Sequence, residues 1–324
     1  MSIRVSIITT TFQAVPPHVW QQFLLPQLRI PELLQYRRLN THQFNLIQIY
    51  LLSAKRTTIK IPNDCLNLSL AMSCYKTLSL LRKYNKSNPL RVQLGQGEFS
   101  ASKYDKIVLD ITMDNLEIIG RGMDSTKIIA EVRILSNRKN ISISHLSITN
   151  PIGVGLVISG GRNIFLNDVR ISSCGSTGIY MGESATLKAS RLTLDRNHGH
   201  GLDAGGKHTL AKLEDVKITN NLRDGCVSSL GSVVVLSGSL LEVSGNRRRG
   251  LVAGAQTVND MGTIRVMADK SFCLRCVRDN GREDQDNVNF SKDFFGMILC
   301  EVDNVVVLVQ PENVSLVLGE YFLE

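Results

Sequence analysis

From Leu90 to Met267 the chain is written in short runs of alternating apolar and polar residues, and these runs recur at a fixed interval. Leu146-Ser-Ile148, Val169-Arg-Ile171, Leu192-Thr-Leu194, Val216-Lys-Ile218 and Leu241-Glu-Val243 each place two apolar residues around one polar residue. Such period-2 alternation puts the apolar pair on one face of a strand and the middle residue on the other. A second landmark keeps step with the first. Glycine followed by an apolar residue or cysteine recurs at Gly155-Leu156, Gly178-Ile179, Gly201-Leu202, Gly225-Cys226 and Gly250-Leu251, at intervals of 23, 23, 24 and 25 residues. Four positions before each glycine stand Pro151, Cys174, Asn197, Asn221 and Asn246, small or turn-forming residues. Further short strands are predicted at Leu156-Val-Ile158, Asn163-Ile-Phe-Leu166, Ala185-Thr-Leu187 and Ser232-Val-Val-Val-Leu236, and no apolar period of 3.6 interrupts the pattern.

A unit of this size, with two or three short strands, cannot bury its own apolar face, so neighbouring units must cover one another. If each unit is one turn of a wide coil, equivalent strands stack as parallel ladders about 4.8 Å apart. Leu, Ile and Val then form continuous inner columns, and the middle residue of each triplet faces outward. Glycine at the bends is expected to supply positive φ, and asparagine suits bends for a related reason. A leucine-rich solenoid needs an L-x-x-L-x-L-x-x-N frame that these segments do not keep. The fold class expected is therefore an all-β solenoid, a single-stranded parallel β-helix.

Leu66 to Met267 resembles the pectate-lyase-like right-handed β-helix superfamily, especially its parallel β-helix repeat members. Leu66, Leu70, Cys74, Leu78 and Leu81 have the spacing of an amphipathic helix. Val92-Gln-Leu-Gly-Gln-Gly-Glu-Phe99 resembles the first coil of that superfamily, and Leu116-Glu-Ile-Ile-Gly-Arg-Gly-Met-Asp-Ser-Thr-Lys-Ile128 the second. The resemblance implies that the helix caps the open end of the solenoid, where strand edges would otherwise be exposed. Four segments follow: 1-62 as a helical F-box-like or pedestal segment, 63-89 as the N-terminal cap helix, 90-270 as the right-handed β-helix, and 271-324 as irregular terminal coils or C-terminal cap strands.

The first segment is proline-punctuated, and Leu33, Leu34, Phe44, Ile47 and Leu51 fit short helices. Its Pro-x-x-Val start, Phe23-Leu24, Leu28, Glu32-Leu33-Leu34 and Arg37-Arg38-Leu39-Asn40 resemble an F-box, although the family's later tryptophan is missing. The resemblance implies docking on a Skp1-type adaptor of a cullin ubiquitin ligase, through Val19, Phe23, Leu33 and Leu34. A helical pedestal packed on the solenoid is the alternative. Beyond Met267 the register is lost. Met297-Ile-Leu-Cys300, Val305-Val-Val-Leu-Val309 and Val314-Ser-Leu-Val-Leu318 are expected to be strands, with Val305 to Val309 too apolar for an open edge.

Composition narrows the function classes. A hydrophobic content of 43% with only 6% aromatic residues makes a core of aliphatic side chains, and charged residues at 20% exclude a disordered chain. The formal charge of +8 favours anionic partners, but no stretch interleaves basic and aromatic residues as a single-strand nucleic-acid groove would. Arg247-Arg248-Arg249 is expected to be a solvated turn. Seven irregularly spaced cysteines suit free thiols, and no segment reaches membrane-spanning length, so an intracellular, cytoplasmic or nuclear protein is expected, with a virion component also consistent.

Candidate chemistry is sparse. Gly199-His200-Gly201 resembles the Gly-His-Gly of polygalacturonases, yet the clustered aspartates and Arg-Ile-Lys of those enzymes are missing; Asp195 and Asp203 are the only acids near His200 in sequence. Asp168, Arg191 and Asp215, one coil apart each, are expected to form an alternating-charge ladder on one flank. Cys273-Leu-Arg-Cys276 lacks a second ligand pair for zinc, with Cys300 the nearest candidate. No catalytic residue, metal or cofactor is assigned. The function expected is a non-enzymatic protein-binding β-helix, with Arg170, Thr193, Lys217 and Glu242 as its recognition face. An architectural component of a viral or cellular assembly and a carbohydrate-active enzyme are the alternatives.

Overall fold

The computed structural model describes residues 58–65, 67–81, 84–100, 102–103, 106–254, 262–267, 297–302 and 305–309. They form a parallel β-solenoid of about seven turns with one short helix. The first of its two sheets runs Thr58–Ile61, Leu90–Leu94, Leu116–Ile119, Lys139–Thr149, Arg162–Ser172, Thr186–Asp195, Leu210–Glu214, Val233–Ser237, Thr263–Met267 and Met297–Val302, each strand parallel to the one before. Val305–Val309 turns back antiparallel on Met297–Val302. The second sheet stacks Glu131–Ile134, Leu156–Ser159, Ile179–Gly182, Leu202–Gly205, Cys226–Ser229 and Leu251–Ala253 in chain order, again parallel.

Register makes the sequence repeat physical. Ile148 pairs with Ile171, Ile171 with Leu194, Leu194 with Ile218 and Ile218 with Val243, and each of the five is at most 3% exposed. Leu146, Val169 and Leu192 form the adjacent row in the same ladder, and they and Val216 are fully buried. Burying each such side chain contributes about 1.5–3 kcal/mol. A continuous column also leaves no room for a residue of the wrong size at any one rung.

The helix Leu68–Leu81 turns Leu68, Ala71, Cys74, Tyr75 and Leu78 into the same core. Tyr75 anchors it, its hydroxyl accepting a hydrogen bond from the Ile59 amide at 3.1 Å. Thr58–Ile61 was expected to close a helical segment reaching residue 62. It is instead the first rung of the solenoid, because Thr-Ile-Lys-Ile alternates inward and outward and pairs with Leu90–Leu94. No helix among the described residues is long and apolar enough to cross a membrane. Val314 to Leu318 and the surroundings of the Val305–Val309 side chains lie outside the described residues.

The expected charge ladder is also corrected. His145, Asp168, Arg191 and Asp215 all have positive φ, between 52° and 57°. This left-handed column bends the long strands, so that in Arg162–Ser172 two successive residues, Asn167 and Asp168, face outward between buried Leu166 and Val169. Arg191 donates to Asn167 Oδ1 at 2.9 Å, while Asp168 pairs with His145 Nδ1 at 2.9 Å. The column is a bend whose polar side chains bond to neighbouring coils, Asp215 accepting from the Leu240 amide at 3.1 Å, and not a row of alternating ion pairs.

Inside another bend runs a buried asparagine ladder. Asn197 Nδ2 donates to Asn221 Oδ1 at 2.9 Å, and Asn221 Nδ2 to Asn246 Oδ1 at 2.8 Å. Each Oδ1 also accepts the backbone amide one coil earlier, from Cys174, Asn197 and Asn221 in turn. Each Nδ2 donates to a strand carbonyl, of Ile171, Leu194 and Ile218. The three are at most 1% exposed, so these bonds replace water entirely.

The glycines four residues on are required by this ladder, and positive φ is not the reason. A Cβ on Gly201 would meet the Gly225 carbonyl oxygen at 2.6 Å and Asn221 Nδ2 at 3.0 Å, and one on Gly225 would meet the Gly250 oxygen at 2.6 Å. Close approach, not backbone conformation, selects glycine here. Asn221→Ala strands the Asn197 amide and the Leu194 carbonyl, each such group costing about 1–3 kcal/mol. Urea denaturation is expected to show a loss of about 3 kcal/mol or more, against less than about 0.5 kcal/mol for exposed Leu240→Ala. Equal losses would remove the ladder's role.

Candidate functional site

The residue just before each column glycine lies at the corner beyond the asparagine ladder, buried at Thr177 and Asp224 and half-buried or exposed at the other three. Coil by coil these are Val154, Thr177, His200, Asp224 and Arg249. Stacking carries His200 to within 3.3 Å of the Asp224 carboxylate, from Nδ1 to Oδ2, and the other oxygen of Asp224 accepts from Arg249 Nε at 3.0 Å. The Arg249 amide also donates to Asp224 Oδ1, at 3.1 Å. Asp224 is 2% exposed, so this is a buried anion with Arg249 as its donor and the His200 ring close by.

Burial alone would raise the Asp224 pKa, but the bonds from His200 and Arg249 outweigh it and hold the carboxyl at about 2, against an ordinary 3.8. Asp203, on the neighbouring strand, goes the other way. Its burial raises its pKa, His200 opposes the shift, and the Asp224 charge adds to it. Tyr180 pairs with Asp203 across the second sheet and is exposed, so the cluster opens onto a face with an aromatic ring beside it.

His200 was expected to sit at a glycine-rich bend with only Asp195 or Asp203 near. The bend is there, but its close carboxylate is Asp224, one coil away. Asp195 is engaged elsewhere, bonding Arg196, Thr219 and Asn220. The signal for Asp224 lay in the sequence: it precedes Gly225 as His200 precedes Gly201. Arg247, Arg248 and Arg249 are exposed, as expected of a turn, yet Arg249 also serves the buried anion.

The expected recognition residues fall in one straight row. Arg170 pairs with Thr193, Thr193 with Lys217 and Lys217 with Glu242, all on the outside of the first sheet. Arg170 also reaches Asp124 at 2.5 Å, and Lys217 reaches Glu242 at 3.4 Å. Val19, Phe23, Leu33 and Leu34 lie outside the described residues, as do Cys273 and Cys276. Cys65, Cys74, Cys174 and Cys226 are buried and form no disulfide. Among the described residues no group of three His, Cys, Asp or Glu side chains is placed to hold a metal ion. A shallow cleft of about 510 Å³ lies apart from the corner, lined by Thr112, Leu135, Ser136, Arg138, Ser159 and Glu183.

Residues 110–262 match the family model of the right handed beta helix region. No curated protein sequence matches the chain. Among solved structures, the A-module of mannuronan C-5 epimerase AlgE6 from Azotobacter vinelandii is 17% identical, with 61% of this chain and 57% of that module covered and a TM-score of 0.42. The ORF18 protein of Geobacillus virus E2 is 12% identical over 83% of this chain and 68% of its own, with a TM-score of 0.41. Pectin methylesterase PemA of Erwinia chrysanthemi is 9% identical over 66% and 78%, with a TM-score of 0.36. The chain thus spans little more than half of the epimerase module's length.

The Asp224 shift fixes a pH dependence. Its pKa is depressed on folding, so its stabilisation is present above about pH 4 and is lost as pH falls towards 2. Asp224→Asn is therefore expected to cost about 2 kcal/mol at pH 7 and progressively less towards pH 2. Urea titrations at several pH values read this directly, and a pH-independent difference would contradict it.

Proposed function

For a chain whose residues 110–262 match a right-handed β-helix region, we propose a non-enzymatic role in binding a protein partner. The outer row of Arg170, Thr193, Lys217 and Glu242 forms its contact face. What supports this is the row itself: four polar side chains in register on a continuous parallel ladder, none of them fully buried. A rigid ladder presents them with little ordering cost on association. Their exposed ion pairs are worth little internally and are free to exchange for partner contacts. The F-box-like N-terminal segment extends the proposal. Val19, Phe23, Leu33 and Leu34 would dock a Skp1-type adaptor, making the solenoid the substrate receptor of a cullin-type ligase.

A second role, acid–base chemistry on a saccharide, is favoured by one observation, the raised pKa of Asp203 beside His200 and Tyr180. Against it, both oxygens of Asp224 are already engaged, on His200 and Arg249, which suits a structural anion better than a free catalytic base. If this role holds, the protein releases reducing ends from polygalacturonate and Asp203→Asn abolishes the release; no release by the native protein removes it.

The binding role has its own test. Affinity purification with mass spectrometry on the Arg170→Glu, Lys217→Glu double variant is expected to lose partners that the native chain recovers, about tenfold or more. Its circular dichroism should be unchanged. Recovery of the same partners at native levels would remove the row from the function.

A further inference from the structure

We propose that the corner beyond the asparagine ladder is a docking ridge for an acidic, leucine-bearing segment of a protein partner. The proposal rests on the chain being a protein-binding solenoid, and it adds a charge contact at this corner to that of the outer row. The corner is built of stacked three-residue loops: Gly175-Ser176-Thr177, His198-Gly199-His200, Leu222-Arg223-Asp224 and Arg247-Arg248-Arg249. Backbone bonds hold them in register, from the Gly199 amide to Ser176 O at 3.0 Å, Arg223 to Gly199 O at 3.2 Å and Arg248 to Arg223 O at 3.3 Å. Arg223 and Arg248 therefore occupy one column, one rung apart at about 4.8 Å.

Like charges stacked at that distance repel. Among the described residues neither arginine has a carboxylate partner. The carboxylate within the corner, Asp224, is buried and engaged by Arg249 and His200. On the outer row, by contrast, Arg170 and Lys217 already have acidic neighbours in Asp124 and Glu242. Arg223 and Arg248 are thus an uncompensated pair at this corner, where an anionic group would relieve the repulsion; Lys139 with Arg162 and Lys188 with Lys212 stack likewise on the first sheet.

Beside them stands an exposed leucine. Leu222 is 45% exposed in the same loop as Arg223, and Ile152 is 73% exposed at the same corner three coils earlier. No Phe, Tyr or Trp stands in the four loops, whose only rings are the imidazoles of His198 and His200. Exposed leucine among guanidinium groups therefore fits a peptide with acidic and apolar side chains better than a nucleic acid.

Fluorescence anisotropy on the full chain tests this with a fluorescein-labelled 14-residue peptide of alternating glutamate and leucine. Binding is expected at low salt and should weaken as salt rises. The Arg223→Glu, Arg248→Glu double variant should weaken it about tenfold, and Leu222→Ser by a smaller factor. Both variants lie on the surface and should melt as the native chain does. A Lys60→Glu variant, at an exposed position on the first rung, should bind the peptide normally. Unchanged binding by the corner variant overturns the proposal. If the peptide is instead lost only with the Arg170→Glu, Lys217→Glu row variant, the proposal fails while the binding role of the row stands. A single-stranded oligothymidylate of equal charge binding as tightly, and released by the same substitutions, would also overturn it.

Discussion

The separation between one coil and the next is fixed by backbone hydrogen bonds, and everything else in this molecule must fit that spacing. At about 4.8 Å a side chain meets its own equivalent above and below before anything else. For aliphatic residues this is favourable at every rung. For polar groups inside the coil it offers one repeating solution, in which each group bonds its equivalent on the next coil. Asn197, Asn221 and Asn246 adopt it, and every oxygen and amide nitrogen of the three is thereby used or passed on. The glycine column is a consequence: the backbone passes so close to the ladder that a Cβ would strike the next glycine's oxygen.

The same spacing governs the charged surface. One buried carboxylate, Asp224, is tolerated because stacking brings Arg249 as a donor from the coil after and the His200 ring to 3.3 Å from the coil before. Two arginines in one column, Arg223 and Arg248, have no such answer within the described chain. The corner therefore carries both a satisfied anion and an unsatisfied pair of cations within two turns of the solenoid.

Much of this was legible in the sequence, and the reason is periodicity. The triplets at Leu146, Val169, Leu192, Val216 and Leu241 recur at the coil length, so the inner columns and the outward row of Arg170, Thr193, Lys217 and Glu242 could be read before any coordinates. What escaped was contact between coils outside the strands. His200 and Asp224 are 24 residues apart, and a search for acids near the histidine in sequence stops at Asp203. The bend at Asp168, Arg191 and Asp215 escaped for another reason. Aspartate is among the residue types enriched at positive φ, but arginine is not, and charges recurring at the coil spacing read equally as a straight ladder. The strand Thr58–Ile61 was lost to its surroundings, four alternating residues after a helix-like stretch.

The claim beneath all of this is that residues one repeat apart lie directly over one another. Asp110, Arg133, Val157, Tyr180, Asp203 and Val227 form one such row on the second sheet. Nitroxide labels carried on genetically encoded residues at Asp110 and Asp203, and then at Asp110 and Val227, allow the separation to be measured by pulsed electron resonance. Four and five rungs predict about 19 Å and 24 Å, a step of about 5 Å for one added coil. Distances that show no such step between the two pairs would contradict the solenoid and the corner built upon it.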